Sequence, residues 1–193
     1  MNQKEMIKKT LNMAWPAMLE SFFVAFAGLI DSLMVSSVGA YAVAAVGLTT
    51  QPKFLGLALF IAANVSISAL VARRMGEGKR EEANRIFSTF LLFIIAAGIV
   101  ISILLVAFAD PIIRLCGSEA ETHDAAVAYF RIVMGGMIFN VIQMGINSAQ
   151  RGAGNTRITM RTNLTASVVN IGLNYLLIQG HFGFPALGVK GAA

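Results

Sequence analysis

The sequence predicts an all-α membrane protein, a polytopic helical bundle, and three observations carry that prediction. Hydrophobic residues make up 56% of the 193-residue chain and charged residues only 13%, against about a quarter charged in an average soluble domain. A soluble chain of this length has too much surface for its volume to hide so many apolar side chains. The apolar residues also gather into runs long enough to cross a hydrocarbon core of about 30 Å. Basic residues sit between the runs, at alternate ends of successive ones.

Taken in order, the runs cover about 12–37, 43–71, 86–109, 125–150 and 160–179, with a sixth opening near Ala186. The third is the clearest, with 24 residues free of charge, or about 36 Å as a helix rising 1.5 Å per residue. Lys4, Lys8 and Lys9 precede the first run. Arg73, Arg74, Lys79, Arg80 and Arg85 follow the second, and Arg151, Arg157 and Arg161 follow the fourth. Eleven of the fifteen Lys and Arg therefore fall on one side, and the positive-inside bias makes that side cytoplasmic, with the amino terminus inside. The loops at 39–42, 110–124 and 179–185 are then external. A cleaved signal peptide competes for the first run, because Lys8 and Lys9 precede an apolar stretch containing Ala25-Phe26-Ala27. That stretch continues past such a cleavage point and carries Glu20 and Asp31, and removing it would upset the alternation of charged loops. The expectation is one unit over 1–193, five full transmembrane helices plus the start of a sixth. It would be an amino-terminal lobe that stops as another span opens, as in a transporter built from two repeats.

Several function classes drop out. The net charge of +5 is spread between apolar runs, without the aromatic-lined basic face of a nucleic-acid binder. Cys116 is the single cysteine, which precludes an intrachain disulfide or a cysteine metal cage. Gly76-Glu77-Gly78-Lys79 is followed by Arg80 rather than Ser or Thr, and no strand precedes it, so it is not a nucleotide loop. Gly152-Ala153-Gly154-Asn155-Thr156 joins two membrane helices and reads as a helix-ending turn. No ATP use is expected. His123 and His181 fall in external loops without acidic or nucleophilic partners at useful spacing and read as solvated, which argues against an enzyme.

The informative residues are polar ones inside the spans, because an ionisable group at depth costs a few kcal/mol or more and faces a cavity or a partner. Asp31 lies about 9 Å from the external end of the first span. Glu20 is eleven residues earlier, close to three turns, so the two carboxyls share a helix face. Its nearness to Pro16 leaves an interfacial position equally open. The fifth span carries Asn163, Ser167, Asn170 and Asn174 in one stripe, and the fourth carries Asn140, Gln143, Asn147 and Gln150. Such amides also serve as plain interhelical glue. A carboxyl among amides can carry a proton, and with amide oxygens it can instead ligate Na⁺; the sequence leaves both open. Pro16, Gly28, Gly39, Gly56, Gly98, Gly135, Gly136, Gly145 and Gly172 lie in or at the ends of spans, where close helix packing is the expectation.

Trp15-Pro16-Ala17, then Asp31, Gly39 and Ala44-Ala45-Val46-Gly47-Leu48 resemble the first two helices of the multidrug and toxic compound extrusion (MATE) transporters. Ala72-Arg73-Arg74-Met75-Gly76-Glu77-Gly78 and Arg151-Gly152-Ala153-Gly154-Asn155-Thr156-Arg157 are similar to that family's two long cytoplasmic loops. Asn170-Ile171-Gly172-Leu173-Asn174, with Phe184-Pro185-Ala186-Leu187-Gly188-Val189, resembles its fifth helix and the approach to its sixth. The resemblance covers essentially the whole chain. It implies a twelve-helix inner-membrane protein of two lobes, exporting organic cations or other amphipathic drugs in exchange for H⁺ or Na⁺, with no cofactor beyond the coupling ion. This chain would need a missing carboxy-terminal lobe. In one branch of the family the first-helix Asp, matched by Asp31, anchors a coupling-ion site. Asn170 matches the fifth-helix amide, and Gln143 and Asn147 match fourth-helix polar positions. With Glu20, they would line the adjoining cavity. Where that branch has a fifth-helix Asp, this sequence has Asn174, which leaves one carboxylate fewer. The family's Thr-Pro after the second loop's Arg is here Ile158-Thr159. Two other readings stand beside this one. A lipid-linked oligosaccharide flippase of the same superfamily would use Lys53 and Arg131 for anionic headgroups, and a non-transporting membrane fragment would be favoured by a stop codon immediately after Ala193.

Overall fold

A computed structural model describes residues 3–193, apart from the side chains of His181 and of a few residues before Ala14, Lys4, Lys8 and Lys9 among them. Readings that rest on those side chains lie outside the described residues. The described chain is all helical. Seven α-helices follow in order, α1 (Gln3–Ser36), α2 (Ala40–Gly76), α3 (Arg80–Ala107), α4 (Ala109–Leu115), α5 (Ala120–Gly135), α6 (Met137–Gly152) and α7 (Thr156–Gln179). Two short 3₁₀ segments, His181–Gly183 and Gly188–Ala192, complete the chain.

The helices run beyond the apolar stretches that predicted them. α1 starts nine residues before residue 12, α2 ends at Gly76 rather than 71, and α3 begins at Arg80 rather than 86. A helix does not stop where hydropathy does, because its backbone bonds are as good in the interface as in lipid. What stops it is turn chemistry. Gly78 and Gly154 both take left-handed φ, +76° and +80°, and each closes the same motif. Lys79 N–H donates to the Arg74 carbonyl at 2.9 Å and Asn155 N–H to the Gln150 carbonyl at 2.8 Å, the six-to-one bond of a Schellman cap.

Three predicted features take a different local form. The span at 125–150 is two helices, α5 and α6, bent by 46° at Gly136. Consecutive glycines weaken the helix there, and Ser102 Oγ of α3 donates to the Met134 carbonyl at 2.6 Å, a bond that occupies backbone next to the break. The segment at 110–124 is not a simple loop, because α4 lies within it. The segment from Ala186 opens no α-helix here, only the turn at Gly188–Ala192. Three helices are long and apolar enough to cross a membrane, and four if the bent α5–α6 pair counts as one span. α7 is 24 residues long, or about 36 Å, but its polar stripe keeps it below that apolar standard.

Packing divides the bundle in two. Phe60, Ile94, Phe130, Met134, Met137 and Val141 form the main core, joining α2, α3, α5 and α6. α1 packs principally on α7 instead, and a smaller cluster of Val35, Ala42, Tyr129, Ile178 and Val189 ties that pair to the rest. Close packing holds at some predicted glycines but not at others. A methyl at Gly56 would sit 2.7 Å from Leu105 Cδ1 and one at Gly98 2.9 Å from Ile138 Cδ1, whereas Gly28, Gly135 and Gly172 have nothing within 4 Å. The outward faces of α1 and α2 carry Trp15, Phe22, Phe26, Phe54 and Leu55, all exposed, as a surface made for lipid.

Candidate functional site

Because α1 lies along α7, the amide stripe of α7 faces the two carboxyls of α1, and the structure brings both into contact with it. Near the end of the pair, Asn174 Nδ2 donates to Asp31 Oδ1 at 2.9 Å. The Asn170 amide, turned so that its nitrogen meets acceptors, lies 3.1 Å from both Asp31 oxygens. Asn174 is buried and Asp31 half-buried. Asp31 opens on a cavity of about 150 Å³ that Val43, Val46, Tyr129 and Asn174 also line. Among the described residues no Lys or Arg pairs with Asp31. A carboxylate gripped by amide donors and lacking a tethered counter-charge is chemically open to a mobile cation, H⁺ or Na⁺.

Eleven residues away the arrangement differs. Glu20 is 7% exposed, buried against α6 and α7. Its Oε1 accepts from Asn163 Nδ2 and from the Arg151 guanidinium. Asn163 Oδ1 in turn accepts from Gln143 Nε2 at 3.0 Å and Asn147 Nδ2 at 2.9 Å. Asn163 and Arg151 donate to the carboxylate while Gln143 and Asn147 fix Asn163, and such pairing offsets the desolvation cost of a buried charge. Gln143, Asn147, Arg151, Asn163 and Ser167 line a cavity of about 360 Å³, with Asn140 at its edge. Gln143 and Asn147 thus reach Glu20 through Asn163 and do not touch Asp31.

Two residues escaped the sequence reading. Arg151 was counted as a loop charge, yet it belongs to the last turn of α6 and reaches back to α1. Tyr129 lines the Asp31 cavity while 93% buried. A phenol inside an apolar run is the signal that could have found it, since a buried Tyr hydroxyl needs a polar neighbour.

His123 is corrected from a solvated residue. Its Nδ1 lies 2.7 Å from Ser118 Oγ and its Nε2 2.9 Å from Asp110 Oδ1, so it ties α4 to the start of α5. The His123 hydrogen bond, with help from Arg114 at 2.9 Å, holds the half-exposed Asp110 carboxyl below its ordinary value. A depressed folded-state value stabilises the tie fully above the unfolded carboxylate range of about pH 4, and acid removes that stabilisation as pH falls through the folded value. Hydrogen exchange over 109–120 should therefore accelerate below about pH 4. Asp110→Asn should remove that acid response. A loop whose exchange is as pH-dependent in Asp110→Asn as in the parent would assign the tie elsewhere.

Helices of spanning length, with carboxylates and amides turned inward and an apolar exterior, define a multi-pass membrane protein. The chain belongs to the MatE family of multidrug and toxic compound extrusion transporters, whose family model matches residues 16–176. It is 28% identical over 190 residues to the probable multidrug resistance protein NorM of Thermotoga maritima, covering 98% of this chain and 41% of that protein. Two solved structures superpose with a TM-score of 0.86 at 28% identity, each over 96% of this chain and 40% of the other. One is a multidrug resistance MATE family transporter in an outward-facing conformation. The other is a MOP superfamily transporter from Pyrococcus furiosus, for which a binding pocket of reverse polarity is described as suggesting a different function. The chain spans about two fifths of the length of these relatives.

Proposed function

We propose that residues 1–193 form the amino-terminal lobe of a twelve-helix, two-lobe exporter that expels cationic or amphipathic drugs across a bacterial-type inner membrane by antiport with H⁺ or Na⁺. α1, α2, α3, the bent α5–α6 pair and α7 are its first five spans. The amino terminus is cytoplasmic, as the basic residues at the ends of α2, α6 and the start of α3 favour. Asp31, Asn170 and Asn174 form the coupling-ion site, Gln143 and Asn147 line the adjoining cavity, and Glu20 meets that cavity through Asn163 and Arg151.

The observation that carries this reading is the pairing of Asp31 with Asn170 and Asn174 beside a small cavity. An ion that binds this site with different affinity in inward-open and outward-open states shifts the balance between them, and only that difference can drive transport. Asn174 in place of a second carboxylate leaves the site one formal charge to offer, matched to a single monovalent cation. A flippase reading is not favoured, because Lys53 and Arg131 line neither the cavity at Asp31 nor the one at Arg151 and Asn163.

The test uses the full-length protein in proteoliposomes loaded with a fluorescent organic cation. An imposed H⁺ or Na⁺ gradient should drive dye movement against its own gradient, and dissipating the ion gradient should stop it. Dye flux indifferent to both ions would overturn the antiport reading, and rescue of a flippase-deficient strain would replace it.

A further inference from the structure

The two carboxylates of α1 sit on the same amide stripe of α7 but differ in one respect. Asp31 has no tethered cation among the described residues, whereas Glu20 holds the guanidinium of Arg151. The Glu20 side is a built site, with a carboxylate 7% exposed whose Oε1 already accepts from Asn163, and Asn163 itself fixed by Gln143 and Asn147. The cation filling it is not built in to the same degree, because the Arg151 side chain is 49% exposed. Arg151 is the last residue but one of α6, next to the glycine turn Gly152–Gly154, and its guanidinium lies beside a cavity of about 360 Å³. A planar cation on a flexible stem at the mouth of a polar cavity can leave it while the carboxylate cannot.

We infer that Glu20 and Asn163 form a binding site for guanidinium-type organic cations, and that Arg151 occupies it as a tethered competitor. A cation of that shape entering the cavity from the Arg151 side displaces the guanidinium of Arg151, donates to the same carboxylate, and leaves Arg151 to solvent. The selectivity follows from chemistry. The site offers one carboxylate oxygen flanked by neutral amides, which matches a flat, weakly hydrated cation with several N–H donors better than a quaternary ammonium, which has no N–H to give. The inference deepens the substrate class in the proposed function but does not depend on Asp31 or on transport.

The experiment is equilibrium binding to the purified full-length protein, read by thermal shift and by calorimetry, with ethylguanidinium as probe and tetramethylammonium at the same ionic strength as control. If Arg151 fills the site nine-tenths of the time, its removal should tighten ethylguanidinium binding about tenfold, since apparent affinity scales with the fraction of open sites. Arg151→Ala should thus be stabilised by ethylguanidinium at concentrations that leave the parent unaffected. The Glu20→Gln/Arg151→Ala double variant should lose the response, and tetramethylammonium should give none in any variant. Arg151→Lys keeps a tethered charge, protects folding if Arg151→Ala is too unstable to purify, and should bind the probe with intermediate affinity. Equal responses from Arg151→Lys and the parent, or a response that persists in Glu20→Gln/Arg151→Ala, would overturn the inference. Loss of ion-driven transport in Asp31→Asn with this binding intact would separate the two readings.

Discussion

Asp31→Asn in the full-length protein is expected to cut ion-driven efflux of a fluorescent cation to the level of vesicles lacking the transporter, while leaving the protein folded. The substitution keeps shape and one carbonyl oxygen, so Asn174 Nδ2 still finds an acceptor where it now meets Asp31 Oδ1 at 2.9 Å. The negative charge is lost, and with it the charge that, in the proposed coupling, lets H⁺ or Na⁺ prefer one conformation over another. Moving a two-state balance from 1:99 to 99:1 takes about 5.5 kcal/mol of differential binding, and neutral amides alone do not supply it. Thermal melting should change little, because no tethered cation is stranded by the change. The measurement is dye efflux in inverted vesicles under a pH or Na⁺ gradient, with Asn174→Leu as a companion that should weaken coupling without abolishing it. Full transport by Asp31→Asn would remove Asp31 from the mechanism.

The helical class was legible because it rests on quantities that a sequence carries whole, namely the length of apolar runs and the alternation of Lys and Arg. The pairing of Asp31 with Asn170 and Asn174 was legible for a related reason. A carboxyl on one span and an amide stripe on another are polar groups in an apolar setting, and in lipid such groups find one another. Other features depend on atoms far apart in the chain. Nothing near Glu20 in sequence says that Arg151, 131 residues later, bends back to it, and positive-inside counting spent Arg151 on the loop. The break between α5 and α6 was hidden because a kink leaves hydropathy unchanged. Only Gly135-Gly136 hinted at it, and the Ser102 bond beside it is a tertiary event. His123 was read as solvated because spacing along a chain cannot show that Asp110, thirteen residues earlier, folds back through α4.

Gly152→Ala should be strongly damaging for so conservative a change, although residue 152 reads in the sequence as a mere helix end. α6 packs chiefly against α2, and at Gly152 the two backbones nearly touch. A Cβ there would run into the Ser68 carbonyl oxygen and lie 3.2 Å from the Ser68 carbonyl carbon and 3.1 Å from Val71 Cβ. Backbone cannot rotate aside, so the helices must separate. Overpacking of this kind costs about 1–3 kcal/mol, equivalent to a loss of roughly 5–10 °C in apparent Tm near the upper end for a unit of this size. Gly145→Ala should cost less. Its Cβ would fall 2.6 Å from Ile94 Cδ1, but that methyl ends a flexible side chain and can change rotamer. Gly28→Ala, with nothing within 4 Å, should be neutral or slightly stabilising, since Ala gains up to about 1 kcal/mol over Gly in a helix. The order 152, 145, 28 in melting of the purified protein is the readout, and a Gly152→Ala protein that melts with Gly28→Ala would show that α2 and α6 do not cross so tightly. The damage should also reach the site. Arg151 is the neighbour of Gly152, so pushing α6 off α2 moves the guanidinium that fills the Glu20 carboxylate, and ethylguanidinium should bind Gly152→Ala more tightly than the parent.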